Sequence, residues 1–276
     1  MNFSEALRSA AENADVVDGD ERTRELALRL AEVHERIDRA LEVSERRERP
    51  ELIVVTKNFP AEDVERLYRL GVRDVGENKD QEAAQKAREV HDLAGDDHRD
   101  RLRWHFVGQL QSNKARSVVR YADSVHSVDR LSLVKALGKA MAREPEDAAP
   151  RSAARPLECL VQVSLELPAS GAGAADSSAD AGRGGTSAEQ MMALAEAIDQ
   201  TAGLELGGLM AVAPLHGSAR EAFSHLSELS QALRQQYPQA AEISAGMSGD
   251  LEEAVASGAT RLRIGRDVLG DRSAAR

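Results

Sequence analysis

A lysine closes a hydrophobic run early in the chain. Residues 52–60 read LIVVTKNFP, and Leu52 to Thr56 have the apolar, β-branched character of a buried strand. Lys57 stands where that strand runs out. An amine held near a second cation and partly out of water gives up its proton more readily, and a neutral amine adds to an aldehyde as a Schiff base. The second cation has a candidate in TRLRIGR, where Arg263 and Gly265 share one strand face while Leu262 and Ile264 share the other. A lysine and an arginine directed into one mouth repel each other, so something anionic is expected between them. SAGMSGD brings Ser244, Gly246 and Ser248 to a neighbouring strand end. Ser248, with the backbone N–H groups of Gly265 and Arg266, has the donors that a phosphate needs. Ser248 also fits as the N-cap of the helix opening at SGDLEEA. The acidic residues Asp250 and Glu252 in that first turn argue against the helix dipole itself holding an anion. Position alone leaves another reading of Lys57 open, because strand-end lysines often carry their amines out to solvent.

The other polar residues are less telling. GEN (Gly76–Asn78), HFVGQLQSNK (His105, Gln109, Ser112, Asn113), His126, Ser127, Glu166 and Met210 fall at predicted strand ends. His91, His98 and His105 are seven apart across a loop, without metal-ligand spacing or the carboxylate pairing of an H-E-x-x-H helix. His126 reads as a satisfied core or mouth residue. Cys159 is the only cysteine, set in ECLVQV, so it reads as core and forms no internal disulfide. GRGGTS lacks the Gly-Lys-Ser/Thr of a phosphate loop, and no strand runs into it.

These residues need a scaffold, and the chain supplies a repeating one. LIVVT, VRDVGEN, RWHFVGQ, DSVHSV, LECLVQVSLE, LELGGLMAV, AEISAG and TRLRIG alternate with amphipathic segments such as AEDVERLYRLG and DRLSLVKALGKAMARE. Strand–helix alternation predicts a parallel sheet. Eight units in about 215 residues predict an α/β fold, a single closed (β/α)8 TIM barrel spanning 1–276. A doubly wound open sheet is the alternative, but no Gly-rich dinucleotide turn follows an early strand. Leu26, Leu30, Val33, Ile37 and Ala40 recur at helical spacing, so residues 1–48 are predicted to be helical. The Gly, Ala, Ser and Asp of 167–187 predict a flexible insertion after strand five, and 144–156 a smaller polar connector.

Bulk composition sets outer limits. Of 276 residues, 42% are apolar and only 3% aromatic, so the core is expected to be mostly Leu, Val, Ile and Ala. A net charge of −11 argues against a global nucleic-acid footprint. The first 25 residues lack a signal-peptide pattern, and no run of 18 apolar residues exists to span a membrane. A soluble, cytoplasmic, monomeric protein is expected.

Taken in order, VVTKNFP, GVRDVGENKDQE, WHFVGQLQSNKAR, VHSVDR, GLMAV and SAGMSGDLEEAVASGATRLRIGRDVLGDR resemble the pyridoxal phosphate homeostasis protein family across 52–272. That family is similar to the N-terminal barrel of alanine racemase and fold-type III decarboxylases. The resemblance implies pyridoxal 5′-phosphate (PLP) bound as a Schiff base on Lys57. It implies Asn78 as a cofactor contact and Arg263 facing the pyridine nitrogen. Ser248, Gly265 and the backbone of Arg266 would form the phosphate site, with Ser244 as a second small residue nearby. The chain departs from the family pattern in three places. Arg266 replaces a small hydroxyl residue, Gln109 occupies a variable position, and the 167–187 insertion is long.

Three function classes follow. One is a non-catalytic carrier that buffers PLP or delivers it to PLP-requiring apoenzymes. The second is a PLP enzyme such as an amino-acid racemase. The third is a barrel for a phosphorylated metabolite without a Schiff base. Racemases of this type carry a second, β-rich domain with an opposing tyrosine, whereas this chain stops about four residues after VLGDR. Tyr68 and Tyr121 fall on predicted outer helices, and Tyr237 lies beside Pro238. An arginine at the ring nitrogen makes a weak electron sink. The carrier is the favoured reading.

Overall fold

The computed structural model describes residues 3–13, 20–94, 102–143, 155–165 and 184–271. Most of the 144–156 connector and of the 167–187 insertion lies outside these residues. Eight parallel strands close into a barrel in chain order: β1 (Glu51–Val55), β2 (Asp74–Glu77), β3 (Arg103–Phe106), β4 (Ser124–Val128), β5 (Leu157–Gln162), β6 (Leu204–Met210), β7 (Glu242–Ser244) and β8 (Arg261–Ile264). Each predicted strand is present. Register between β1 and β8 pairs Ile53 with Arg263 and Val54 with Ile264.

Helices α1 (Phe3–Glu12) and α2 (Glu21–Val43) precede the barrel, and α3 (Ala61–Arg69), α4 (Asp80–Ala94), α5 (Ala115–Val118), α6 (Leu131–Met141), α7 (Ala188–Asp199), α8 (Ala219–Gln236), α9 (Leu251–Ala256) and α10 (Arg266–Leu269) surround it. Asp20 caps α2 by accepting the Arg22 N–H at 3.1 Å. The predicted stripe Leu26, Leu30, Val33, Ile37 and Ala40 is buried. It seats α2 on α3, α9 and α10, across the seam where β8 meets β1.

The apolar core lies between sheet and helices, where Val54, Val75, Trp104, Phe106, Val125, Leu262 and Ile264 are buried. The buried core is mostly Leu, Val, Ile and Ala, as expected, but the barrel interior is different. Alternate strand positions point inward, and buried Asp74, His105, Ser124, His126, Gln162, Ser244, Arg261 and Arg263 occupy them beside Ile53, Leu160 and Met210. Burying such groups is tolerable only when they are paired. At the N-terminal end Arg261 grips Glu158 with bonds of 2.5 and 3.0 Å, and Arg103 reaches Asp74 at 2.7 and 2.9 Å.

The end of the 167–187 insertion is more ordered than its composition predicts. Thr186 N–H donates to Gln162 O at 2.8 Å and Ser164 N–H donates to Thr186 O at 2.9 Å, so this residue extends the sheet beside the end of β5.

Candidate functional site

Lys57 lies one residue beyond the last ladder bond of β1, in which Thr56 N–H donates to Gly76 O at 2.9 Å. The chain then turns. Phe59 N–H returns to Thr56 O at 3.1 Å, and Asn58 takes a left-handed φ of 64°. Lys57 is half-buried, as is Val55 on the same inward face, so the barrel mouth is open above this strand. Thr56 points the other way and is clamped. Its hydroxyl donates to Glu77 Oε1 at 2.7 Å, and Lys86 Nζ donates to Thr56 O at 2.8 Å and to Glu77 Oε1 at 2.6 Å. Burial pushes the Glu77 carboxyl up, against the pull of Lys86 and Thr56. This buried lysine fixes the strand end that presents Lys57.

Asn78 follows β2, and its Oδ1 is a buried acceptor without a partner among the described residues. Its position depends on Gly108. A Cβ at residue 108 would lie 2.3 Å from Asn78 O and 2.7 Å from Asn78 Cα, so only glycine permits this approach. The glycine of WHFVG is thus part of the site, although its sequence gives no hint of what it touches.

Arg263 is level with Ile53, four residues below Lys57, a separation of about 13 Å along an extended chain. Lys57 and Arg263 therefore lie at two depths on the inward faces of neighbouring strands. Arg263 Nη1 donates to Ser244 Oγ at 2.5 Å and Nη2 to Ala211 O at 2.8 Å. Burial lowers its pKa to about 10, while the charge of Asp250 pulls it back up. No carboxylate forms an ion pair with it among the described residues. A buried guanidinium engaged through only two of its five N–H groups has donors left for a ligand.

The rim between β7 and β8 carries the remaining candidates. A Cβ at Gly265 would stand 3.0 Å from Val55 O, so glycine lets β8 close tightly on β1 there. Arg266 is exposed and opens α10, with its backbone N–H beside Gly265. Ser248 is half-buried, and its carbonyl accepts Arg36 Nη2 from α2 at 3.1 Å. Ser248 is not the N-cap that SGDLEEA suggests. Asp250 holds that position, without a side-chain bond to the first turn, and its carboxylate instead accepts Met247 N–H at 2.6 Å. The Ser248 hydroxyl is left free of a capping duty.

Two histidines complete the interior. His105 Nε2 meets Asp74 Oδ1 at 2.8 Å, His105 Nδ1 meets His126 Nε2 at 2.9 Å, and His126 Nδ1 meets Ser244 Oγ at 2.8 Å. Burial, and then the charges of Arg261 and Arg263, hold the His126 pKa well below its ordinary value. The satisfied-residue reading of His126 is correct; its link to Arg263 through Ser244 is what the sequence did not show. Among the described residues no group of three or more His, Cys, Asp or Glu could hold a metal. Tyr68 belongs to α3 and Tyr237 ends α8; Tyr121 is buried in the turn after α5 rather than on a helix.

An amine at the mouth, an orphaned amide oxygen, a deep arginine and a rim of hydroxyl and backbone donors suit a phosphorylated aromatic aldehyde. The fold and this arrangement define a barrel of the alanine racemase type. The family model described as alanine racemase, N-terminal domain, matches residues 28–273. A pyridoxal phosphate homeostasis protein of Corynebacterium glutamicum is 38% identical over 221 residues, covering 80% of this chain and 90% of that protein. One from Mycobacterium tuberculosis is 38% identical over 266 residues, covering 94% and 97%. PipY of Synechococcus elongatus PCC7942, solved with PLP bound, superposes with a TM-score of 0.68 at 32% identity, covering 89% of this chain and 100% of that one. This chain belongs to the pyridoxal phosphate homeostasis protein family.

Proposed function

We propose that this protein binds PLP as a Schiff base on Lys57 and serves intracellular PLP homeostasis, by buffering or delivery, without efficient catalysis. The observation that carries the reading is the vertical arrangement of half-buried Lys57 above buried, carboxylate-free Arg263. Lys57 Nζ is the amine that would hold the cofactor's aldehyde. Arg263 would hold a ring nitrogen, Asn78 would contact the ring, and Ser248 with the N–H groups of Gly265 and Arg266 would take the phosphate. Ser244 supports Arg263 from the side. PLP supplies an aldehyde for amines and a ring that accepts electrons.

Two features favour a carrier over a racemase. A guanidinium cannot take up a proton, so as a donor it leaves the ring nitrogen unprotonated, which weakens the ring as an electron sink. The three tyrosines belong to the helical layer and its turns, leaving no tyrosine opposite Lys57. PLP-requiring apoenzymes are the receiving partners in this reading. Purified protein saturated with PLP should absorb near roughly 420 nm, the region of a protonated Schiff base, and Lys57→Ala should lose that band. With alanine and serine, chiral analysis should give turnover well under about 1 s⁻¹, while mixing with an apoenzyme should transfer the cofactor. Turnover above that level would replace the carrier by an enzyme.

A further inference from the structure

The barrel interior holds one continuous hydrogen-bonded chain, Asp74–His105–His126–Ser244–Arg263, with an anion at its lower end and a cation at its upper end. Both ends have a fixed polarity. Arg263 can only donate, so Ser244 Oγ accepts at 2.5 Å. Asp74 is buried, which raises its pKa, but bonds from His105 and Arg103 outweigh this and hold it below its ordinary value, so it accepts. His105 therefore carries its proton on Nε2.

The middle follows by counting protons. His126 is fully enclosed between two arginines and a second imidazole, so it is neutral and has one N–H. With that proton on Nε2 it donates to His105 Nδ1, and its bare Nδ1 accepts the Ser244 hydroxyl proton. Every link then donates in the same direction, from Arg263 towards Asp74, and each donor meets one acceptor. The reverse orientation would need a proton on both nitrogens of His105 and would leave the Ser244 hydroxyl proton without a place in the chain.

We infer that His126 and His105 are positioning residues for Arg263, locking the Ser244 proton inward so that the lone pairs of Oγ face the guanidinium and hold it towards the mouth. The inference deepens the proposed PLP reading and rests on it for the role of Arg263. It also gives a role to two enclosed histidines that belong to no metal-ligating group among the described residues. Both are buried, and each is joined to Arg263 by hydrogen bonds running through Ser244. Their effect passes through one hydroxyl.

Imidazole 15N NMR on the cofactor-free protein tests the chain without any ligand. Near neutral pH, His126 should be neutral with its proton on Nε2. A proton on Nδ1 of His126, or a doubly protonated His126 ring, overturns the inference. PLP titration of variants provides the second arm. His126→Phe removes the acceptor of the Ser244 proton and should raise the PLP Kd about tenfold and displace the visible band. His126→Asn places a carbonyl oxygen near the Nδ1 position and should stay within about threefold of wild type, with the band restored. Equal weakening by both variants, or no weakening by either, would also overturn it. Failure of wild-type protein to take up PLP on Lys57 would count against the binding reading alone, because the NMR result stands without it.

Discussion

Replacing Lys86 by alanine should destabilise the fold well beyond what the loss of an ordinary helix lysine would. Lys86 belongs to α4, is buried, and donates to Glu77 Oε1 at 2.6 Å, to Thr56 O at 2.8 Å and to Glu82 Oε1 at 3.1 Å. Its removal leaves the Glu77 carboxylate in the apolar layer with only the Thr56 hydroxyl bond. Breaking a buried pair from one side costs about 3–5 kcal/mol, equivalent to a fall of roughly 10 °C in melting temperature for a chain of this size. The loss should depend on pH. Glu77 already has a raised pKa in the fold from burial, and losing Lys86 raises it further. A carboxyl whose folded pKa lies above its unfolded value contributes stability below the unfolded pKa, and that contribution is lost as pH rises through the folded pKa. Urea unfolding at pH 5 and pH 8 should therefore show a larger Lys86→Ala deficit at pH 8. Adding Glu77→Gln should recover part of it. A deficit under about 1 kcal/mol at pH 8, or the same deficit at both pH values, would refute the claim that this pair clamps the end of β1.

The rim and the depth of the site should separate by mutation. Ser248→Ala removes one phosphate donor and should weaken PLP binding by about 1–2 kcal/mol, roughly 5–30-fold in Kd, with little spectral change. Arg263→Ala should instead alter the visible spectrum and its pH dependence, so identical effects from the two changes would contradict their placement. Gly108→Ala should cost about 1–3 kcal/mol by overpacking and weaken PLP retention, since its new methyl must displace Asn78; an unchanged Kd by fluorescence titration would argue against that contact. Thr186→Pro removes the N–H bonded to Gln162 O and should lower stability by about 1–3 kcal/mol, whereas deleting 170–182 should leave the melting temperature nearly unchanged by calorimetry.

The strands were legible because each is a short apolar run with polar residues at alternate positions, and α2 was legible from Leu26 through Ala40 at helical spacing. That same period of two places Arg263 inward, where it is buried and bonded to Ser244. The alternation carries a second signal. Glu51, Asp74, Arg103, His105, His126, Glu158, Glu242 and Arg261 all sit at alternate strand positions, which marks a polar interior. What the sequence could not give was the pairing, because His126 meets Ser244 across 118 residues only once the barrel closes. Gly108 escaped for a similar reason, since its neighbour Asn78 belongs to the preceding loop. The helix cap was misplaced because SGDLEEA offers both Ser248 and Asp250, and propensity alone does not choose between them. Thr186 reads as the end of a Gly-rich loop, yet its backbone finds the unpaired edge at the end of β5.

Borohydride reduction of PLP-saturated protein, followed by peptide mass mapping, addresses the central claim most directly. Reduction converts a Schiff base into a stable secondary amine on the lysine that formed it. The account expects a single phosphopyridoxyl adduct on the peptide containing Lys57, and none in Lys57→Ala. A dominant adduct on another lysine, or saturated protein without any adduct, would contradict it.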